Sequence, residues 1–344
     1  MKKLTILAVA LLAASAANAQ DLIIKRFVNT PEGVEEPKVK RDANQSPAPL
    51  LPGKYGVNYS DYNQDACIVQ AGSTNFSSIN QTDGRSKNVA TEKNSGSSAY
   101  ISQLSGSSLN NAIQTQTLDD NSNVPGGRNL LRSTQGGTMS ESNQTQTSGY
   151  SNTAEVNQGA GTSSNLAIQT QTGGNTNSAL INQTNSITTN PPLQYGTSSN
   201  NRAEQVQTGS DETAQIDQQG KFSYAKQTQG GISDHAYIGQ GAPGMRNTAI
   251  QNQSGAENVA KITQSVNPPT VGNDNNYALQ NQSGYGDQAK IDQHGSNNFA
   301  QQDQAGSFAG PDPNNMSNIT QSNVPSAAYT GQTGVLNTAT IVQQ

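Results

Sequence analysis

Residues 247–264 show the pattern of polar and apolar positions that organises most of this chain. They read N-x-A-x-Q-x-Q, then a turn with Gly255, then N-x-A-x-I-x-Q, so each half alternates a fixed residue with a variable one. A period of two is that of a β-strand, in which alternate side chains point to the same face. The pattern therefore predicts two strands that turn Asn, Ala, Gln and Ile to one side.

The same seven-residue unit recurs from residue 64 onwards. Twenty-two units can be aligned, many of them spaced by eleven residues, which fits a seven-residue strand followed by a four-residue turn. Repetition at a fixed period is typical of a solenoid. The units begin at residues 64, 75, 88, 97, 110, 129, 140, 152, 165, 177, 201, 212, 223, 234, 247, 258, 276, 287, 298, 315, 326 and 337.

Two kinds of unit alternate, and they differ at their fifth position. One kind has Gln there and the other has Ile or Val, so the period is a strand pair of about 22 residues and the chain holds eleven pairs. The motif is degenerate at 88–94 and 129–135, where the register is weakly defined. The Gln set is Gln114, Gln144, Gln169, Gln205, Gln227, Gln251, Gln280 and Gln302, and the apolar set is Val156, Ile181, Ile216, Ile238, Ile262, Ile291, Ile319 and Ile341.

Such pairs predict an all-β fold, a β-solenoid of about eleven stacked strand-turn-strand rungs that form two parallel, in-register facing sheets. Rungs would lie about 4.7–4.9 Å apart and the sheets about 10 Å apart, as in amyloid-like cross-β structures. Equivalent side chains would then lie directly above one another. Inward amides can donate to one neighbouring rung and accept from the other, which removes the roughly 1–3 kcal/mol cost of a buried unpaired amide.

These positions define two predicted sets of inward residues. The structural ladder comprises Asn165, Gln169, Gln171, Asn177, Gln183, Gln227, Gln229, Gln240, Asn247, Gln251, Gln253, Asn258, Gln264, Gln280, Gln282, Gln293, Gln304 and Gln321. The apolar core comprises Ala167, Ala179, Ile181, Ala214, Ile216, Ala236, Ile238, Ala249, Ala260, Ile262, Ala289 and Ile291.

Composition alone would favour disorder. Hydrophobic residues make up 31% of the chain and aromatic residues 5%, Trp is absent, and the mean hydropathy is −0.71. A disordered chain, however, has no reason to keep Gln, Ala and Ile in phase across several insertions. We therefore expect a polar, stacked core, with the Gly- or Pro-containing insertions at 118–128, 186–199, 265–275 and 305–314 as surface loops.

Charge and cysteine content exclude several classes of function. The formal net charge is −5 and no basic patch occurs, so the chain lacks the electrostatic footprint of a nucleic-acid-binding protein. Cys67 is the single cysteine, which excludes an intramolecular disulfide and a cysteine-based zinc site. We expect no cofactor and no metal.

The first 63 residues differ from the repeat region, residues 64–344. Residues 1–19 have the features of a secretory signal peptide, with Lys2 and Lys3, an apolar run and an A-x-A cleavage site. Residues 20–63 cluster charges and prolines, which predicts a disordered leader or secretion-targeting segment. The apolar run is too short to span a bilayer, so we expect an exported protein without membrane insertion.

The repeat continues to the last residue of the sequence, without the atypical polar segment that closes most soluble solenoids. We expect the last rung to expose unpaired groups that the first rungs of another copy can satisfy. Repeated head to tail, that contact gives a filament. The predicted polymerising end comprises Ser326, Ala328, Gln332, Asn337, Ala339, Ile341 and Gln343.

The last strand pair, from Ser326 to Gln343, reads S-x5-Q-x-G-x-L-N-x-A-x3-Q. It resembles the curlin repeat of bacterial curli, S-x5-Q-x-G-x-G-N-x-A-x3-Q, with Leu336 in place of the second glycine. The resemblance covers residues 64–344. It implies an amyloid-forming structural subunit of the biofilm matrix that supports adhesion, leaves the cell through an outer-membrane secretion channel, and is nucleated at the bacterial surface by a minor subunit.

Other interpretations stay open. A minor nucleator or a monomeric solenoid adhesin would have the same rungs, and outward T-x-T pairs resemble those of ice-binding solenoids. An enzyme is disfavoured, because His235 and His294 lie in different rungs and no nucleophile recurs near them. The Thr pairs are Thr115/Thr117, Thr145/Thr147 and Thr170/Thr172, and the position of Thr170 continues as Val206, Asn252, Asn281 and Asp303.

Overall fold

The computed structural model describes residues 24–27, 64–71, 76–81, 86–93, 98–104, 110–117, 129–184, 198–241, 244–265, 274–306, 315–322 and 325–344, and every regular element in them is a β-strand. Those residues include no apolar helix of membrane-spanning length. The strands are β1 Ile24–Phe27, β2 Gln64–Ala71, β3 Phe76–Gln81, β4 Ser86–Lys93, β5 Ser98–Gln103, β6 Asn110–Thr117, β7 Leu130–Gln135, β8 Glu141–Thr147, β9 Thr153–Gln158, β10 Leu166–Thr172, β11 Ser178–Gln183, β12 Arg202–Gln207, β13 Thr213–Gln218, β14 Tyr224–Gln229, β15 His235–Gln240, β16 Thr248–Ala256, β17 Val259–Gln264, β18 Tyr277–Tyr285, β19 Gln288–Gln293, β20 Phe299–Ala305, β21 Met316–Gln321, β22 Ala327–Thr333 and β23 Thr338–Gln343.

Two sheets contain all of these strands. The first sheet has the order β1-β2-β4-β6-β8-β10-β12-β14-β16-β18-β20-β22, and the second sheet has the order β3-β5-β7-β9-β11-β13-β15-β17-β19-β21-β23. From β2 onwards each strand pairs in parallel with the strand two places on, so the chain crosses from one sheet to the other at every turn. The predicted all-β solenoid is confirmed, with a number of rungs that agrees with the approximate count of eleven.

Pairing within each sheet is in register. Gln205 aligns with Gln227 and then with Gln251, and Ile216 aligns with Ile238. One predicted unit is wrong: β4 aligns Ser86 with Asn110, so this unit begins at 86 and not at 88. The physical reason is regular spacing. Units that start at 75, 86 and 97 are eleven residues apart, so the chain before β4 and the chain after it cover equal lengths.

Each corner before a strand depends on a left-handed residue. Thirteen residues other than glycine adopt φ between 53° and 63° immediately before the first residue of a unit. Ten of these backbone N–H groups bond to the equivalent corner of the preceding rung, as in Thr176 N to Tyr150 O at 3.0 Å and Ser233 N to Ser210 O at 2.9 Å. The stacked corners therefore hold a conformation that costs an L-residue about 1–2 kcal/mol.

The apolar core is a column of small side chains against large ones. Alanines of the first sheet, such as Ala167 and Ala249, pack with Ile or Val of the second sheet, such as Ile181 and Ile262, in one continuous cluster. All twelve predicted core residues are at most 5% exposed. Small side chains opposite large ones let the two sheets pack closely.

The region before the repeat is described only at β1, which lies antiparallel to β2 with Ile24 opposite Val69 and Phe27 opposite Ala66. At these four residues a strand replaces the predicted disorder, because the edge of β2 offers unpaired backbone groups. The predicted signal peptide and the rest of residues 20–63 lie outside the described residues, and so do most residues of the predicted loops.

Candidate functional site

Three columns of glutamines run through the interior, two in the first sheet and one in the second. In every case the side-chain Nε2 donates to the Oε1 of the glutamine in the following rung. The fifth-position column joins Gln114, Gln144, Gln169, Gln205, Gln227, Gln251, Gln280 and Gln302 at 2.7–2.9 Å. The seventh-position columns join Gln116, Gln146, Gln171, Gln207, Gln229, Gln253, Gln282, Gln304 and Gln332 at 2.6–3.0 Å, and Gln103, Gln135, Gln158, Gln183, Gln218, Gln240, Gln264, Gln293, Gln321 and Gln343 at 2.8–3.2 Å.

The second hydrogen of these amides links the two sheets. Gln205 Nε2 donates to the carbonyl of Leu180 at 2.9 Å, and Gln227 Nε2 donates to that of Gln215 at 2.9 Å. Most interior amides therefore have a partner along their column and a partner across the core. A carboxylate or an aliphatic side chain of the same size supplies neither donor, which explains why glutamine recurs at these positions.

The glutamine columns have a direction. At their start, Oε1 of Gln114 and Oε1 of Gln116 are buried acceptors without a partner among the described residues. At their end, Gln332 and Gln343 accept from the preceding rung and donate to the carbonyls of Met316 and Ala327. The acceptors of the columns thus point towards the amino-terminal end, where β4 aligns Ala90 with Gln114 and Glu92 with Gln116, and the amide donors point towards the carboxyl-terminal end.

Asparagines hold the corners. Asn201 shows the geometry: its Oδ1 accepts from the backbone N of Ser223 at 2.9 Å, and its Nδ2 donates to the carbonyl of Gly220 at 2.7 Å. The first-sheet corner column is Asn110, Ser140, Asn165, Asn201, Ser223, Asn247, Asn276, Asn298 and Ser326. The second-sheet corner column is Asn129, Asn152, Asn177, Glu212, Asp234, Asn258, Asp287, Asn315 and Asn337.

All residues of the predicted structural ladder lie in these columns. The predicted glutamines bond side chain to side chain. The predicted asparagines, such as Asn177 and Asn258, instead bond to the backbone of the neighbouring rung: Oδ1 accepts from the N–H of the next corner residue and Nδ2 donates to a glycine carbonyl. Asn therefore fixes the corner, while Gln connects successive strands.

The predicted polymerising end lies in β22 and β23 and the corners before them. Ser326 donates to Oδ1 of Asn298 from both its N and its Oγ, and Ala328 and Gln332 are buried. The inward residues of β23 are only half-buried; they are Asn337, Ala339, Ile341 and Gln343. Equivalent residues of the preceding second-sheet strands are buried, so the difference arises from the missing neighbour on this side.

A polar ladder that the repeat pattern did not predict runs along each outer face. Asn182 donates to Asp217 at 2.7 Å on the second sheet, and Asn281 donates to Asp303 at 2.7 Å on the first. Each carboxylate also bonds to a tyrosine of the next rung, and this contact contributes to raising the pKa of Tyr237, after burial, and of Tyr329.

A glycine makes room for each of these tyrosines. A Cβ at Gly239 would lie 2.8 Å from the hydroxyl of Tyr237, and a Cβ at Gly331 would lie 2.8 Å from that of Tyr329. The sequence signal was available: Asn at the sixth position in successive units, then Asp, then Y-x-G.

The other predicted features occupy separate places. The Thr pairs align over β6, β8 and β10, and the Thr170 column continues as Val206, so the array covers three rungs. His235 lies in β15, whereas His294 follows β19, and Cys67 lies in β2. Among the described residues, no group of His, Cys, Asp and Glu could hold a metal ion.

No family model matches this chain, and no curated protein matches it. The function therefore has to be inferred from the columns, the corners and the terminal strands.

Proposed function

We propose that this protein is a structural subunit that assembles head to tail into extracellular, curlin-like amyloid fibres. The observation that carries the proposal is the terminal pair β22–β23, which no described strand covers. Uncovered edge strands offer a row of unpaired N–H and C=O groups to another chain. Because these strands are parallel and in register with all preceding ones, the partner that continues them best is a second copy of this chain.

The direction of the glutamine columns supports head-to-tail contact. The carboxyl-terminal end offers the amides of Gln332 and Gln343, and by register Gln70 and Gln81 take the same position in the first strand pair. A second copy stacked in the same direction brings donors against acceptors. Two carboxyl-terminal ends facing each other would bring donors against donors, so a closed dimer is disfavoured and a filament results.

The apolar core adds to this contact. Ile341 packs against the core cluster on one side only, and Ala339 is half-buried. A following rung would bury both, and burial of apolar surface stabilises by about 25 cal/mol per Å².

The proposal includes export and a role in the biofilm matrix, supported by the signal-peptide pattern of residues 1–19 and by the resemblance of residues 326–343 to the curlin repeat. The partners it implies are other copies of this chain, an outer-membrane secretion channel and a nucleating minor subunit. The surface of the fibre would then mediate adhesion. No enzymatic activity is part of the proposal.

A monomeric solenoid adhesin is the second candidate, and β1 is the observation that favours it. This strand pairs with the outer edge of β2 and so covers one end of the first sheet. Covered ends are typical of solenoids that stay monomeric.

Assembly from the unfolded chain tests the two candidates. Residues 20–344 are purified in denaturant, diluted, and followed by thioflavin fluorescence and by fibre diffraction. We expect fibres with a meridional reflection at about 4.7–4.8 Å. A soluble monomer that keeps its β-structure without this reflection would support the adhesin and contradict the fibre.

Charged substitutions at the carboxyl-terminal ends of the glutamine columns test whether β22–β23 forms the contact between copies. We expect Gln332→Glu together with Gln343→Glu to slow elongation of preformed wild-type fibres at least about tenfold, because both end donors are lost and like charges are added. The matched control places the same charges outward on the same strands, Thr333→Glu with Thr340→Glu, and should elongate faster than the inward variant. Elongation of the inward variant at the wild-type rate would show that β22–β23 is not the joining surface.

A further inference from the structure

Three positions of the second-sheet corner column carry a carboxyl group where the other rungs have asparagine. Glu212, Asp234 and Asp287 are each 0% exposed. They lie in the interior of the corner, whereas the other acidic side chains whose burial is described are partly or fully exposed. Carboxyl groups so placed are costly to ionise, because they have lost the hydration that stabilises the charge.

One oxygen of each group accepts a hydrogen bond from the backbone of the next rung, and for Asp234 and Asp287 the donor is the same corner N–H that bonds to an asparagine Oδ1 in other rungs. Glu212 Oε1 accepts from Gly231 N at 2.8 Å, and Asp234 Oδ1 accepts from Asn258 N at 2.9 Å. Asp287 Oδ1 accepts from both N and Nδ2 of Asn315, at 3.2 and 2.9 Å. The accepting half of the corner is therefore preserved at Asp234 and Asp287, whereas the longer side chain of Glu212 accepts from the corner glycine Gly231.

The other oxygen of each carboxyl group takes the place of the asparagine Nδ2, which is a hydrogen-bond donor. In the asparagine rungs Nδ2 donates to a glycine carbonyl of the next turn, as in Asn177 to Gly209 at 2.8 Å. In the acidic rungs the corresponding atoms, Glu212 Oε2, Asp234 Oδ2 and Asp287 Oδ2, are buried without a hydrogen-bond partner.

The surroundings of Asp234 show what its second oxygen faces. A Cβ built on Gly231 would lie 2.2 Å from the carbonyl oxygen of Gly255 and 2.4 Å from Asp234 Oδ2, so the two oxygens border one small space. Two oxygens that border the same buried space repel unless a proton lies between them.

Among the described residues, little positive charge compensates these groups. His235 follows Asp234 and favours its charged form, but Asp234 adds a like charge to Glu212 of the preceding rung, and no described charge acts on Asp287. Burial is the main cause that raises the pKa of Glu212 to about 7 and raises the pKa of Asp234 and of Asp287.

We propose that Glu212, Asp234 and Asp287 are protonated in the folded solenoid, and that each O–H donates where the asparagine amide donates in other rungs. Folding of these rungs then takes up protons from solution, and mild acid favours the solenoid over the unfolded chain. The inference concerns folding and holds for a monomer as well as for a fibre.

The sign of the pH dependence follows from proton binding. Between the ordinary carboxyl pKa of 4.5 and the folded-state pKa of about 7 for Glu212, the folded chain binds more protons than the unfolded chain. The free energy of unfolding therefore falls as the pH rises through this window and levels off above it.

Denaturant unfolding of residues 20–344 at a series of pH values tests the proposal, with the triple variant Glu212→Gln, Asp234→Asn and Asp287→Asn beside the wild type. We expect the folding equilibrium constant of the wild type to fall more than about tenfold between about pH 5 and about pH 8. The folding equilibrium constant of the triple variant should not fall over this pH range, since an amide supplies the donor at any pH. At about pH 8 the triple variant should therefore be more stable than the wild type. The outer-face control Asp217→Asn should keep the drop.

Infrared spectroscopy gives a second readout that works on monomer and fibre alike. The folded wild type at neutral pH should show the C=O band of a protonated carboxyl, and the triple variant should lack it. Should the triple variant not fold, the single variant Asp287→Asn, far from the other two along the column, should weaken the band. Absence of the band in folded wild type, or equal pH profiles for wild type and triple variant, would overturn the inference whether or not fibres form.

Discussion

At the scale of the residue, the corner position before each strand is the least expected feature. Thirteen side chains other than glycine stand there in the left-handed conformation, among them the β-branched Thr176 and the large Phe222 and Leu336. Glycine takes this conformation without strain, and it occurs at the equivalent position in Gly286. The stacked backbone bonds of the corner therefore determine the conformation, whatever the side chain.

This strain can be removed one residue at a time. We expect Thr176→Gly to raise the free energy of unfolding by about 0.5–1 kcal/mol, because relief of the left-handed strain exceeds the extra backbone entropy of glycine. The exposed Thr172, at the end of β10, serves as the control: Thr172→Gly should lower stability, since no such strain exists there. Both are measured as denaturant midpoints, and a loss of stability in Thr176→Gly would contradict the strain.

At the scale of the element, a strand of this solenoid is specified by its neighbours in the sheet. The strands contain few large apolar residues, and what they bury most often is glutamine. Such a strand is stable only where the same amide lies above and below it, because a buried amide without partners costs about 1–3 kcal/mol. The columns thus make each strand depend on its register with the next.

Replacing one glutamine of a column by glutamate tests how strongly a strand depends on its neighbours in the sheet. Gln227 accepts from Gln205 and donates to Gln251 and to the carbonyl of Gln215. We expect Gln227→Glu to lower the free energy of unfolding by about 3 kcal/mol or more at about pH 8, because both donors are replaced by a buried unpaired charge.

The matched control is Gln288→Glu, the same change at an exposed position of β19, which should stay within about 0.5 kcal/mol of the wild type. Equal effects of the two substitutions would mean that the column contributes no more than a surface position. Denaturant unfolding of both variants decides between these outcomes.

At the scale of the whole molecule, the two ends of the solenoid differ. The carboxyl-terminal pair β22–β23 has no described cover, whereas at the other end β1 lies on the edge of β2. If copies join head to tail, β1 occupies the place that β22 of another copy would take. The strand therefore competes with polymerisation.

Replacing residues 24–27 with Gly-Ser-Gly-Ser tests this competition. We expect a shorter lag and faster elongation in thioflavin assays, because the edge of β2 is then open to the next copy. The same replacement at residues 31–34, outside β1, is the control and should leave the rates unchanged. Slower assembly, or equal rates for both replacements, would show that β1 does not block the pairing of another copy with β2.

The sequence by itself determined the strands, their alternation between two sheets and the inward residues. A period of two repeated at a spacing of eleven leaves few other folds, and Ala249, Gln251 and Ile262 are buried as their positions predicted. It failed where the motif is degenerate, at the unit that begins at Ser86, since only pairing with β2 and β6 fixes that register.

Only the tertiary structure decided how the polar groups are satisfied. The direction of the glutamine columns, the bonds from Asn201 to the backbone of the next rung, and the unpartnered oxygens of Asp234 and Asp287 all depend on the neighbouring rung. A sequence pattern shows which side chains point inward. Hydrogen bonding and burial of charge depend on the distance and orientation of groups that the fold brings together, and those belong to the stacked solenoid.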